Sequence, residues 1–311
     1  MVPDLNGDGI PEMVAGAYLD DTGEKAAGAM YVLFMNADGS VVSQQKIANG
    51  VGGLPVTNLE KNDYFGYSVA YIGDIDSDGQ PEIAVGAARD ELVGGTKDLG
   101  SVRIMTLAAD GTATLRTTIT ENAFGFFPTT PMIKKDWFGA AVAGVGDVNG
   151  DGIPDLAVGA SLDNELDRDA GAVYILFLRP NGFVDDHVKI LGNTPLFTAI
   201  DGGVEKRDYF GSSLAAADLN GDGINDLLVG APTDDVIERD QGSVWAMFLD
   251  ATGTPTTVSR ISAAEGVANL DRGDEFGTSV ANLGDVNSDG VPDIAVGAIG
   301  DDNDNNDAGA I

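Results

Sequence analysis

Five short stretches of this sequence set carboxylates at odd positions around a glycine: DLNGDGIPE from Asp4, DIDSDGQPE from Asp74, DVNGDGIPD from Asp147, DLNGDGIND from Asp218 and DVNSDGVPD from Asp285. In the second, carboxylates fall at positions 1, 3, 5 and 9 as Asp74, Asp76, Asp78 and Glu82. Odd spacing in a tight loop turns alternate side chains toward one centre, and the glycine at position 6, Gly79, permits the sharp bend. The carbonyl of Gln80 at position 7 completes the set. Hard oxygen donors in that number suit Ca²⁺, which takes roughly 6–8 oxygens, better than Mg²⁺ or Zn²⁺.

The other copies follow the same scheme with Asn at position 3. The expected donor sets are Asp4, Asn6, Asp8, Ile10 and Glu12; Asp147, Asn149, Asp151, Ile153 and Asp155; Asp218, Asn220, Asp222, Ile224 and Asp226; and Asp285, Asn287, Asp289, Val291 and Asp293. The position-7 residue contributes its carbonyl. Up to five Ca²⁺ ions are expected, one per loop, with a ligand charge of −3 in four loops and −4 in the second. An EF-hand opens the same way but needs Glu at position 12 and flanking helices. Position 12 here is Ala15, Val85, Val158, Val229 or Val296, inside an apolar β-type stretch. Asp, Asn and Gly also make plain turns, but five copies in one register, each acidic at position 9, favour metal.

The elements that position these loops repeat with them. The loop starts are 70, 73, 71 and 67 residues apart. Each loop runs into a short apolar strand ending in Gly-Ala (Gly16-Ala17, Gly86-Ala87, Gly159-Ala160, Gly230-Ala231, Gly297-Ala298). Four are preceded by Phe-Gly, at Phe65-Gly66, Phe138-Gly139, Phe210-Gly211 and Phe276-Gly277. A third strand opens at Gly28, Gly100, Gly171, Gly242 and Gly309, and a fourth follows a turn, as over Val41–Ile47 and Val184–Ile190. Each unit is four antiparallel strands, A to D, and such a sheet must stack on its neighbours to bury both faces. The expected fold class is all-β, a β-propeller of four-stranded antiparallel blades. One domain over 1–311 is expected: a partial blade 1–48, blades 62–122, 136–192 and 208–262, and a partial blade 274–311. This reads as a fragment of a larger, seven-bladed propeller, with a permuted five-blade ring as the alternative.

Phe-Gly, then D-x-[DN]-x-D-G-x-x-[DE], then Val-Gly-Ala-Pro resembles the FG-GAP repeat of the integrin α-chain N-terminal propeller. The fullest copy runs Tyr209-Phe210-Gly211-Ser212, Asp218–Asp226, Val229-Gly230-Ala231-Pro232. The resemblance implies Ca²⁺ loops in the hairpins between strands A and B on one face, with ligands approaching the opposite face. There are departures: the chain has no cysteine, no N-x-[ST] sequon (Asn193-Thr194-Pro195 misses at its third residue) and no inserted I-domain. These fit a microbial or environmental FG-GAP protein better than an animal receptor paired with a β subunit.

Composition narrows the function. Among 311 residues, 50 acidic against 17 basic give a net charge of −33, which repels nucleic acid. Without cysteine there is no disulfide, thiolate zinc site or cysteine nucleophile. Apolar runs such as Ala29–Met35 are far shorter than the roughly 20 residues of a membrane-spanning helix, and no signal peptide is visible. His187, the single histidine, is expected to be exposed, and no G-x-S-x-G or H-E-x-x-H occurs. Gly144-Val145-Gly146 opens like a dinucleotide fingerprint, but Asn149 replaces its third glycine. Tyr31, Tyr174 and Trp245 share one repeat position, with Arg103 in the remaining full copy, and are expected to pack between blades. The irregular segments Glu121–Asp136 (with Phe124, Phe126, Phe127, Lys134 and Lys135 beside Trp137) and Arg89–Asp98 are candidates for recognition or for interblade linkers. The acidic tail Gly300–Asp307 matches loops at Asp163–Asp169 and Asp234–Asp240 and is expected to be solvated.

The expected function is a calcium-binding module, extracellular or at the cell surface, that binds a protein or polysaccharide on the propeller face or interblade loops without catalysis. The alternative is the accessory propeller of a secreted polysaccharide lyase or phospholipase whose catalytic part lies elsewhere.

Overall fold

The computed structural model describes residues 1–56, 59–91, 98–133, 135–301 and 309–311. A first sheet has three strands in sequential order: β1 (Met13–Ala17), β2 (Ala29–Met35) and β3 (Val41–Ala48). Three four-stranded sheets follow, each also in sequential order. These are β4 (Phe65–Gly73), β5 (Glu82–Ala87), β6 (Ser101–Leu107) and β7 (Ala113–Ile119); β8 (Phe138–Gly146), β9 (Asp155–Ala160), β10 (Ala172–Leu178) and β11 (Val184–Ile190); and β12 (Ser213–Ala217), β13 (Asp226–Ala231), β14 (Ser243–Leu249) and β15 (Pro255–Ile261). The last sheet pairs β16 (Phe276–Gly284) with β17 (Asp293–Ala298). One helical turn, α1 (Pro195–Thr198), was not foreseen in the sequence. The fold class is all-β with antiparallel blades of the β-propeller type, as expected.

The chain divides into two compact units. One contains Met1–Gly144, Ile153–Leu156 and Leu176–His187; the other contains Val145–Gly152, Ala157–Ile175 and Val188–Ile311.

In the first unit the inner strands β5 and β6 are buried along their whole length, so both faces of that sheet are covered. That accounts for Glu82-Ile83-Ala84-Val85-Gly86-Ala87 lacking polar alternation beyond its first residue. The two dipeptide motifs meet at the seams between sheets. Phe65 donates its N–H to the Ala27 carbonyl at 3.0 Å, and Phe138 to Leu99 at 2.9 Å, so each Phe-Gly strand hangs from the strand-C entry of the preceding repeat. The same link joins Phe210 to Ala170 at 2.9 Å and Phe276 to Gln241 at 2.9 Å in the second unit. The Phe-Gly carbonyl then lies against the Gly-Ala glycine: a Cβ on Gly86 would sit 2.0 Å from the Gly139 oxygen, and one on Gly230 2.0 Å from that of Gly277. The motifs are thus two halves of one backbone contact, and Phe65, Phe138 and Phe210 are fully buried beneath it.

Behind each seam lies a charge pair. Asp63, Asp136, Asp208 and Asp274, each two residues before a Phe-Gly pair, are buried. Each accepts a backbone N–H three residues upstream at 2.6 Å, from Glu60, Ile133, Glu205 and Asp271. A second acid opens each B–C loop and meets a cation: Asp20 with Lys46 at 2.7 Å, Asp90 with Arg103 at 2.9 Å and Asp163 with Lys189 at 2.6 Å. Arg260 lies 3.8 Å from Asp234. Lys46, Lys189 and Arg260 lie over the rings of Tyr31, Tyr174 and Trp245 at 5.6, 5.3 and 5.7 Å. Tyr174 and Trp245 are fully buried, in line with the packing role expected for that position. In the second sheet Arg103 replaces the aromatic and carries the cation itself, while Thr118 stands where the other sheets have Lys or Arg. Asp163 and Asp234, which open the two loops of the same pattern as the tail, are buried and paired, while most of the residues that follow them are exposed or half-buried. Most of the tail, residues 302–308, lies outside the described residues.

Burial and the neighbouring Asp90 push Asp63 up to about 7. Burial and Asp234 push Asp208 up to about 7, and burial pushes Asp234 itself up to about 6. A carboxylate raised in the folded state holds a proton that the unfolded chain has released. Folding is therefore favoured at low pH and loses stability as pH rises toward 7, by up to about 1.4 kcal/mol per pH unit for each group. In chelator, where metal cannot reverse the trend, the melting temperature is expected to fall between pH 5 and pH 7.5, and Asp63→Asn with Asp208→Asn to flatten the slope. A melting temperature that rises over that range in chelator would contradict it.

Candidate metal centre

The loops bridge strands A and B, as β4 to β5, β12 to β13 and β16 to β17. In the first loop Asp4 accepts N–H bonds from Gly7 (2.8 Å), Asp8 (3.2 Å) and Gly9 (2.7 Å), so backbone donors wrap the position-1 carboxylate. Led by the Gly9 bond, they hold Asp4 below the ordinary carboxylate range. Gly9 takes a φ of +89°, and the position-6 glycines of the other loops lie between +88° and +91°. Asn6 Oδ1 accepts from Asp8 N at 2.8 Å, while its Nδ2 donates to Asp8 Oδ2 at 2.9 Å. Ile10 N–H donates to Asp8 at 2.9 Å.

Position 9 closes the loop from below. Glu12 is fully buried, and its Oε2 accepts Leu5 N–H at 2.7 Å. Burial raises it, and Asp4 and Asp8 add to the rise. Its Oε1 is buried without a hydrogen-bond partner. Carboxylate oxygens of Asp4, Asp8 and Glu12 lie within 4.8 Å of one another, as do those of Asp74, Asp76 and Asp78 in the second loop. Converging carboxylates with a buried oxygen left over are expensive without a cation, and an all-oxygen donor set fits Ca²⁺. The residues present fit the ion.

The frame recurs. In the second loop Asp74 accepts from Asp78 (3.1 Å) and Gly79 (2.9 Å), Gln80 N–H donates to Asp78 at 2.8 Å, and Glu82 accepts Ile75 N–H at 2.9 Å. In the fourth, Asp218 accepts from Gly221, Asp222 and Gly223, Ile224 N–H donates to Asp222, and Asp226 accepts from Leu219 at 3.0 Å and Leu249 at 3.2 Å. In the fifth, Asp285 accepts from Asp289 and Gly290, Val291 N–H donates to Asp289, and Asp293 accepts from Val286 at 2.8 Å. In the second unit Asp147 accepts from Gly150, Asp151 and Gly152 in the same way. In the first unit Asp155, buried, accepts Leu178 N–H at 3.1 Å. Asn149, Asn220 and Asn287 each donate Nδ2 to the Asp at position 5, at 3.0, 2.9 and 3.1 Å. An amide at position 3 thus bridges to its neighbour where a second carboxylate would repel it.

The second loop has Asp76 there instead, and the missing donor comes from β7. Arg116 Nη2 binds Asp76 Oδ2 and lies 3.8 Å from Asp78, and its Nε lies 3.3 Å from Glu82. No motif marks Arg116 in the sequence; only its place on strand D behind the one loop with an extra Asp sets it apart. The buried acids before Phe-Gly were also missed, although Asp-x-Phe-Gly repeats in four copies.

The candidate recognition segments divide. Phe126 is buried and stacked on Phe138 with centroids 5.0 Å apart, whereas Phe127 is exposed. Trp137 packs edge-on to Tyr67 at 5.9 Å. Lys134 and residues 92–97 lie outside the described residues; Arg89 meets Asp98 at 3.0 Å and the Tyr64 hydroxyl at 2.9 Å. His187, expected to be exposed, is half-buried against the Phe126 ring at 5.2 Å, and burial lowers its affinity for a proton. No helix among the described residues is long and apolar enough to cross a membrane.

Known proteins match on the repeats. The FG-GAP repeat model matches residues 138–176 and 210–247, which contain the third and fourth loops. Integrin alpha-8 of Gallus gallus is 31% identical over 246 residues, covering 77% of this chain and 20% of that protein. Integrin alpha-11 of Homo sapiens is 36% identical over 168 residues, covering 53% and 13%. The chain spans no more than about a fifth of the length of these relatives. A rhamnogalacturonan lyase of Bacillus licheniformis aligns over 94% of this chain and 53% of its own at 16% identity and a TM-score of 0.36, a likeness that decides nothing about function. By its recurring motifs and these matches, the chain carries FG-GAP repeats and is similar to integrin α chains.

Proposed function

We propose that this chain is a calcium-binding, non-catalytic module, extracellular or at the cell surface, that binds a protein or polysaccharide ligand. The observation that carries the metal reading is Glu12: a fully buried carboxylate with one oxygen lacking a hydrogen-bond partner, gathered with Asp4 and Asp8 within 4.8 Å. Calcium would be held by the carboxylates at positions 1, 5 and 9, the side-chain oxygen at position 3 and the carbonyl at position 7 of each loop, neutralising charge where two strands join. Five ions would bring the formal charge from −33 to −23. With strand hairpins pinned in this way, the variable loops form a rigid platform for recognition. The homology to integrin α chains supports a ligand-binding rather than a chemical role.

Calorimetric titration of chelator-stripped protein with Ca²⁺ is expected to show several sites in the micromolar to millimolar range. Glu12→Gln is expected to remove or weaken one of them by about tenfold. Heat indistinguishable from dilution at low millimolar calcium overturns the metal reading. A screen of glycans and extracellular matrix proteins, with and without calcium, tests the ligand class.

A further inference from the structure

We propose that Arg116 is a built-in counter-cation of the second loop, which holds that loop together without metal and weakens its calcium affinity. The inference rests on the calcium reading of the loops. Its basis is a paired difference among the repeats. Four loops carry Asn at position 3, and the described geometry shows that amide bridging to the position-5 carboxylate at 2.9–3.1 Å. The second loop carries Asp76, which has no N–H to offer, and its ligand charge rises to −4.

Arg116 corrects both deficits. Its guanidinium binds Asp76 Oδ2, lies 3.8 Å from Asp78 Oδ2 and 3.3 Å from Glu82 Oε1, and so touches three of the four carboxylates. Counting it, the loop returns to −3 like the others. The arginine is well held: its Nε donates to Thr106 Oγ1 at 2.5 Å and its Nη1 to the Pro180 carbonyl at 3.0 Å. Thr106 in turn donates to Glu82 Oε1 at 2.8 Å. Along strand D of the other three repeats that have one, the matching positions are Gln44, His187 and Val258, so among the described D strands the arginine occurs only behind the loop with the additional acid. Asp76 Oδ1 remains buried without a hydrogen-bond partner. The guanidinium therefore takes one oxygen of Asp76 and leaves the other for a metal. An ion entering the loop must share three carboxylates with a fixed positive charge, and calcium affinity falls as site charge becomes less negative.

Terbium provides a local readout. Tyr71 lines one cavity with Asp74, Gly79 and Gln80, so its ring lies beside this loop as a sensitiser. Terbium luminescence, displaced by calcium and corrected with Tyr71→Phe, is expected to report about tenfold tighter calcium binding in Arg116→Met than in the parent. The same variant is expected to melt lower in chelator. Asp76→Asn with Arg116→Met restores the −3 loop and is expected to return calcium affinity and chelator melting close to the parent. Unchanged or weaker binding in Arg116→Met, with the double variant folded and binding calcium, overturns the role of Arg116 and leaves the calcium reading standing. Absence of calcium-displaceable terbium signal and of calorimetric binding in every variant overturns the calcium reading, and this inference with it.

Discussion

Withdrawing calcium from the folded chain is expected to lower its thermal midpoint by roughly 10 °C or more. Each ion bound only by the folded state contributes about 2.7 kcal/mol when calcium is at a hundredfold excess over the dissociation constant. Several loops act together, and each joins the first two strands of its repeat. Without the ions, carboxylates such as Asp4, Asp8 and Glu12 face one another within 4.8 Å in a chain of net charge −33. Salt should partly substitute, because screening weakens repulsion between the exposed members, so the drop is expected to be smaller in high sodium chloride. The effect of pH in chelator runs the same way, since the buried acids Asp63 and Asp208 favour folding when protonated. Matching calorimetric midpoints in chelator and in low millimolar calcium at neutral pH would remove the structural role of the metal.

The second large effect concerns a residue with no side chain. Gly86→Ala is expected to destabilise the protein by about 3 kcal/mol or more, or to prevent folding. Gly86 does not need the left-handed conformation; the demand comes from space alone. Its added Cβ would lie 2.0 Å from the Gly139 carbonyl oxygen and 2.4 Å from Ser68 Oγ. The backbone oxygen cannot withdraw without breaking the seam that seats Phe138. Ser68→Ala is the companion variant. It removes the Ser68 hydroxyl's 2.8 Å bond to that same carbonyl while making room, and is expected to cost only about 1 kcal/mol. Equal denaturant midpoints for Gly86→Ala and the parent would show that the seam yields without cost.

Much of the local frame was legible because it depends on neighbours in sequence. Position 9 of each loop, position 6 glycine and the strand that follows are all set within a dozen residues, and Val184–Ile190 is a strand with the bounds read from the sequence. The Asn-to-Asp bridges inside the loops are equally local. His187 was misread because its burial comes from Phe126, 61 residues away in the chain and on no shared pattern. Arg116 was invisible for the same reason: it reaches Asp76 across 40 residues of sequence.

The repeat, the all-β class and the oxygen-rich loops were thus determined by the sequence itself, through spacing that forces side chains to converge within one turn. Tertiary structure alone decided why Phe-Gly and Gly-Ala travel together, because the carbonyl of one fills the space above the other only once neighbouring sheets stack. It also decided where the charges go. Asp163, which meets Lys189, and Asp90, which meets Arg103, are buried at the head of loops whose composition alone gives no sign of it.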